Sequence, residues 1–276
     1  MRFARYGAPG AERPAMVDAD GRLRDLSGVV PDITGDVLGN LPNINPEGLP
    51  LVAGNPRLGP PVGHVGKFIG IGLNYSDHAK EAGMKPPSEP IVFMKATSSI
   101  CGPNDTVLLP RGSEKSDWEV ELGVVIGKHT KYISEADALS AVAGYCVVND
   151  ISERAFQIER SGQWTKGKGC DTFGPIGPWI VTPDEAGDPQ DLALSLDLNG
   201  TRVQTGTTAS MIFGVAKVIS YLSEMMSLHP GDVIATGTPP GVGMGQKPPR
   251  FLVEGDVMEL EVAGLGTQRQ TVARDG

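Results

Sequence analysis

From Lys67 onward the chain is written as short apolar runs of strand composition: KFIGIG, IVFMK, DTVLLP, WEVELGVVIG, AGYCVVND, GPWIVTP, LALSLDLNG, DVIATG and DVMELEVAGLG. Glycine and proline punctuate them so often that few helices fit between. A doubly wound parallel sheet needs a crossover helix after nearly every strand, so that architecture is disfavoured. Helical spacing is confined to 76–82, 134–141, 152–160 and 211–226, the last with Ile212, Val215, Ala216, Ile219 and Leu222 recurring on one side. Strands outnumber helices. The expected fold class is therefore α+β, β-rich, with a mixed and rolled sheet.

Ahead of this region, RFARY reads as a strand, and Asp20-Gly21 in AMVDADGRLRDL marks a hairpin turn. The stretch 43–66, NINPEGLPLVAGNPRLGPPVGHVG, is too rich in Pro and Gly to continue a helix or sit centrally in a sheet. The expected division is a small N-terminal β domain with a Pro/Gly linker, 1–62, and a main domain, 63–276. A formal charge of -9 with no long Lys/Arg run repels a phosphate backbone, so nucleic acid is not an expected partner. The N-terminus has no apolar run behind its basic residues, and no eighteen apolar residues occur together. Neither export nor a membrane partner is expected. Cys101, Cys146 and Cys170 lack a C-x-x-C spacing, which argues against a disulfide framework and a thiolate zinc site and fits a reducing, cytoplasmic setting.

In DWEVELGVVIG a period of two places Trp118, Val120, Leu122 and Val124 on one strand face and Glu119, Glu121, Gly123 and Val125 on the other. Two glutamates that point the same way repel, and if buried they need a compensating cation. A solvated strand face explains the pair equally well. The third acid, Asp150, ends the apolar run AGYCVVND, and strand ends are where sites accumulate. With no suitable His or Cys nearby, the three form an all-oxygen set that suits Mg²⁺ first, Mn²⁺ as an alternative, and Ca²⁺ as a non-physiological occupant. Three negative charges against a dication also call for a nearby cation.

These residues, with GLNYSDHAKE, VVNDISERAFQ, WTKGKGCDTFGPIGP and ATGTPPGVG in that order, resemble the fumarylacetoacetate hydrolase family from about Phe68 to Val262. The resemblance implies a β-roll main domain, often with a smaller N-terminal domain, and a homodimer. It implies Glu119, Glu121 and Asp150 as metal ligands, and His78, Glu81 and Lys168 as catalytic groups. Arg154, Gln157 and Thr238 match substrate-contacting positions. Read from spacing alone, His78 and Glu81 share a helix face, and so do Arg154 and Gln157, but ordinary surface residues would look the same. Lys168 lies between glycines in TKGKGCDTFG, which suits close approach to a ligand and equally a flexible loop. GTPPGVGMG offers N–H groups suited to a carboxylate, yet it lacks the GK[ST] ending of a P-loop, and GIGLNY lacks the third glycine of a dinucleotide fingerprint.

The function implied is Mg²⁺-dependent hydrolysis of a carbon–carbon bond in a small 2-keto acid, an acylpyruvate or 2,4-diketo-3-deoxy sugar acid, to pyruvate and a second acid. Oxaloacetate decarboxylation, another lyase or isomerase activity of the family, and a non-catalytic keto-acid or metal-binding protein are the rival readings.

Overall fold

The computed structural model describes residues 1–81, 83 and 85–276, without the side chains of His78 and Ala79. Among the described residues the strands form an 11-stranded sheet, a 5-stranded sheet and a 2-stranded ladder. The large sheet runs Leu23–Asp25, Arg13–Val17, Arg2–Tyr6, Gly174–Val181, Val142–Asn149, Val120–Ile126, Val233–Ala235, Phe68–Gly72, Ile91–Lys95. Most neighbours are antiparallel, but Val233–Ala235 lies parallel to Phe68–Gly72, so the sheet is mixed. The β-rich α+β class read from the sequence holds.

Alternation in Val120–Ile126 explains how the layers stack. Val120, Leu122, Val124 and Ile126 enter a core shared with Leu194, Leu196, Met258, Leu260 and Val262 of the 5-stranded sheet. On the other face Val125 joins a second core with Phe3, Met16, Leu26, Ile33 and Val148. The strand is thus buried on both sides. Gly123 is the close point, because a Cβ there would lie 2.6 Å from Val148 and 2.8 Å from the Cys146 sulfur.

The N-terminal strands are not free of this body. Phe3 pairs with Ile180 across the Arg2–Tyr6/Gly174–Val181 ladder, and Leu58–Gly59, inside the Pro/Gly-rich stretch, pairs with Arg5 and Tyr6 further along the same edge, opposite Arg13–Val17. The Asp20-Gly21 signal does mark a hairpin, with Val17 opposite Leu23. Asn199-Gly200 closes another, both residues at positive φ as a two-residue turn with right-handed strand twist requires.

Helices depart from the expected ranges. The segment 76–82 is helical over Ser76–Glu81, with Ala82 outside the described residues. Only Ala138–Ala141 of 134–141 is helical, as a 3-10 turn. The segment 152–160 begins as the strand Ser152–Glu153, paired with Ser116–Asp117, and continues as a π-helical turn, Ala155–Glu159. The last helix starts at Val215 rather than 211, because Asn74 holds the preceding backbone: its carbonyl accepts from Ile212 N–H at 2.7 Å and its Oδ1 from Phe213 N–H at 2.8 Å. Among the described residues no helix is long and apolar enough to cross a membrane.

Candidate active site

Glu119 and Glu121 leave the same face of their strand, as period two requires, and the ladder to Val142–Asn149 brings the end of that strand beside them. Asp150 follows Asn149, which lies opposite Val120, and its N–H donates to the Glu119 carbonyl at 2.9 Å. One carboxylate oxygen from each of Glu119, Glu121 and Asp150 falls within 4.8 Å of the others, and all three residues are buried. A second acid network adjoins them. Asp117, also buried, precedes Glu119 by two, so the same alternation that pairs the glutamates includes it.

Three buried cations face these four carboxylates. Lys168 Nζ donates to Glu119 Oε2 and to Asp150 Oδ2, each at 2.6 Å. Lys95 Nζ lies 2.6 Å from Asp150 Oδ1 and donates to the Ile151 carbonyl at 3.2 Å and to the Lys168 carbonyl. Arg154 divides its fork between Asp117 Oδ2, 2.8 Å from Nε, and Glu119 Oε1, 2.7 Å from Nη2, while Nη1 donates to Gln157 Oε1 at 3.1 Å. Burial opposes the charge on Lys168, but Asp150 and Glu119 outweigh it and hold its pKa above the ordinary lysine value. For Lys95 burial wins and the pKa falls, even with Asp150 beside it.

Glu121 is the exception in this network. It accepts a 2.8 Å hydrogen bond from Gly237 N–H, yet among the described residues it has no cationic side chain as salt-bridge partner. Burial, then the charges of Asp150 and Glu119, push its pKa well above the usual carboxylate range. Four carboxylates against three cations leave one negative charge in a water-poor centre. A divalent cation on Glu119, Glu121 and Asp150 answers both facts, and it turns the local charge to one positive, suited to an anionic substrate. The all-oxygen donor set fits a hard cation.

The trio opens into a cavity of about 500 Å³ whose lining includes Glu119, Glu121, Lys168, Arg154, Gln157, Thr238 and Glu81. Every site residue expected from the sequence whose side chain is described therefore lies at the cavity or, as Asp150 does, in the acid cluster that floors it. His78 lies on the Ser76–Glu81 helix, and its side chain is outside the described residues. The expectation of a helical face for Arg154 and Gln157 is corrected to a π-helical turn, which still brings the two side chains together. Such turns recur at functional sites.

The glycine-rich turn also departs from expectation, because the protein's own carboxylates take up its N–H groups. Gly237 N–H goes to Glu121, Gly241 N–H to Glu81 at 3.0 Å, and Gly243 and Met244 N–H to Asp117 at 2.6 and 3.0 Å. Gly243 has no space for a side chain, since a Cβ would sit 1.9 Å from the Arg250 carbonyl oxygen. The Thr238 hydroxyl donates to the Val120 carbonyl at 2.9 Å and accepts from Gln204 at 2.8 Å.

Sequence reasoning missed Asp117, Lys95, Phe93 and Trp164. Asp117 carried a signal, the i, i+2, i+4 run of acids. Lys95 carried a weaker one, a lysine two residues after Phe93 on the inward face of an apolar strand.

A rolled β-rich fold with a buried acid cluster at the floor of a cavity defines the class: an enzyme whose centre could hold a metal ion. Residues 67–273 match the fumarylacetoacetate (FAA) hydrolase C-terminal family. A provisionally named hydrolase of Burkholderia lata is 63% identical over 276 residues, 98% of each chain. The structure is similar to the fumarylacetoacetate hydrolase of psychrophilic Exiguobacterium antarcticum, with a TM-score of 0.90 and 33% identity over the whole of both chains. It is also similar to 5-carboxymethyl-2-hydroxymuconate delta-isomerase from Mycobacterium smegmatis, with a TM-score of 0.79 and 32% identity over both full chains. The chain belongs to the fumarylacetoacetate hydrolase family.

Proposed function

We propose that this enzyme is a Mg²⁺-dependent hydrolase that cleaves a carbon–carbon bond of a 2,4-diketo acid to give pyruvate and a second acid. The observation that carries the reading is the buried trio of Glu119, Glu121 and Asp150, which with Asp117 sets four carboxylates against three cations, at the floor of a cavity. A dication held there supplies Lewis-acid stabilisation of the negative charge that develops on a leaving enolate, worth several kcal/mol.

The remaining work falls to the chain's own groups. Arg154, fixed by Asp117 and Glu119, and Gln157 orient the substrate carboxylate end. Lys168 adds a second positive charge beside the keto end without entering water. His78, assigned by the resemblance and three residues before Glu81, takes a proton from the water that adds at carbon 4. The bond between carbons 3 and 4 then breaks, its electron pair passes to the pyruvate half, and protonation of carbon 3 yields pyruvate. Base catalysis of this kind contributes roughly 10² to 10⁴ in rate.

A second reading, isomerisation of an unsaturated 2-hydroxy polycarboxylate, is favoured by the delta-isomerase among the solved relatives. Both use a 2-oxo or 2-hydroxy acid head. The test is a panel of 2,4-diketo acids and 5-carboxymethyl-2-hydroxymuconate with Mg²⁺, followed for pyruvate and for ultraviolet change. Pyruvate release supports hydrolysis. A spectral shift without pyruvate from any compound replaces it by isomerisation.

A further inference from the structure

We propose that the part of the cavity beyond Lys168 is an acyl subsite for an uncharged group with an apolar end, so that a terminal hydroxyl or carboxylate is disfavoured. This rests on the keto-acid reading above and names the half of the substrate that reading leaves open.

The order of groups away from the acid cluster gives the direction. Lys168 Nζ, 2.6 Å from two of the carboxylates, lies 5.0 Å from the centre of the Phe93 ring. The Phe93 ring is in turn 5.6 Å from that of Trp164, tilted at 53°. Both rings rest on one strand, Phe68–Gly72, at its two alternate glycines. A Cβ at Gly70 would meet the Phe93 ring at 2.2 Å, and one at Gly72 would meet Trp164 at 2.3 Å. The aromatic wall exists because those positions carry no side chain. Ile158 and Met244 also line the cavity while 49% and 39% exposed, large apolar side chains whose surface a bound tail would cover.

The polar groups of the lining do not serve this region. Arg154, Lys168 and Thr238 are committed to partners around the acid cluster. Glu81 is tied to Gly241 N–H. Gln157 is bound to Arg154 through its Oε1, Gln246 and Lys247 are the remaining polar side chains, Lys247 being exposed, and within the wall the polar group is the indole N–H of Trp164 at the ring edge. A hydroxyl held against the faces of the two rings gives up water for apolar contact, whereas a methyl group gains by the same move.

N-substituted oxamates test this, since the oxamate head copies a 2-oxo acid and the tail can be varied at constant length. Calorimetry in Mg²⁺ compares oxamate with its N-butyl, N-(3-hydroxypropyl) and N-(2-carboxyethyl) derivatives. The expected order is butyl tightest, by about tenfold over hydroxypropyl and more over carboxyethyl. Ile158→Asn and Met244→Gln, both at exposed positions, should each reduce the butyl to hydroxypropyl ratio within the same variant. Oxamate that binds with no tail preference, or a carboxyethyl tail that binds best through Lys247, overturns the inference and leaves the keto-acid reading standing. No binding of oxamate itself removes both.

Discussion

Asp117 ties Arg154 to the glycine-rich turn: Oδ2 accepts from Arg154 Nε at 2.8 Å and from Met244 N–H at 3.0 Å, and Oδ1 from Gly243 N–H at 2.6 Å. Arg154 in turn grips Glu119, so a single buried acid couples a proposed metal ligand, a proposed substrate arginine and the cavity roof. Asp117→Asn keeps the shape but removes the charge. The expected loss is about 2–4 kcal/mol of stability, measured by denaturant unfolding, because Arg154 is left with less compensation in a buried site. Turnover should fall at least tenfold while Mg²⁺ affinity falls far less. Asp197→Asn, which breaks an ion pair with Arg202 at the surface, is the control and should cost under about 1 kcal/mol.

Lys168 occupies a contradictory position. It compensates Glu119 and Asp150, yet as a cation bridging two carboxylates it also competes with any metal they bind. Lys168→Met should therefore separate binding from chemistry. Mg²⁺ affinity should rise by about tenfold or more, since removing a like charge a few ångströms from the cation relieves repulsion. Turnover should drop by about 10² or more with the loss of the stabilising ammonium. Parallel loss of both would mean that Lys168 acts by shaping the trio and not by its charge on the substrate.

Glu121 makes the metal-free protein sensitive to pH. Its folded pKa lies well above the ordinary carboxylate value, raised first by burial and then by the neighbouring Asp150 and Glu119. Between the unfolded and the raised folded pKa the native state binds more protons than the unfolded state. Stability contributed by the protonated group is present at low pH and is lost as pH rises through the folded pKa. The expected outcome with chelator present is a melting temperature that falls over that window. Glu121→Gln should flatten the fall, and Mg²⁺ should abolish it in the unchanged protein by stabilising the ionised form. A melting curve that responds to neither would place Glu121 outside the centre.

How much of this was legible follows from the range of each interaction. The glutamate face was readable because alternation along a single strand is local, and Asp150 because an apolar run visibly ends there. Asp117 obeyed the same alternation and needed only one more step back along the strand. Lys95 could not be placed, since Asp150, its partner, follows a strand that is not its neighbour in the sheet, and only the folded chain brings the two together. The π-helical turn at Ala155–Glu159 leaves no periodic signature in five residues. The segment 211–214 carries helical spacing but is held out of the helix by Asn74, a distant residue that outcompetes local preference. The aromatic wall depends on glycines from one strand receiving rings from two other segments, a match visible only after folding.

The choice between water attack and loss of carbon dioxide rests on the helix Ser76–Glu81, where Glu81 is anchored to the Gly241 N–H. Hydrolysis of a diketone needs a base for the attacking water, while decarboxylation of oxaloacetate yields a pyruvate enolate with no water to activate. The two reactions share the metal centre and Lys168, so variants there cannot tell them apart. His78→Ala can. Diketone hydrolysis should fall by roughly 10² to 10⁴, the span of base catalysis, whereas any oxaloacetate decarboxylation should change by less than about tenfold. Glu81→Gln should follow the same pattern with a smaller loss, because it removes a charge from the helix that carries the proposed base while the amide can still accept from Gly241 N–H. Equal losses in both reactions would mean that the helix shapes the cavity and that the base lies elsewhere.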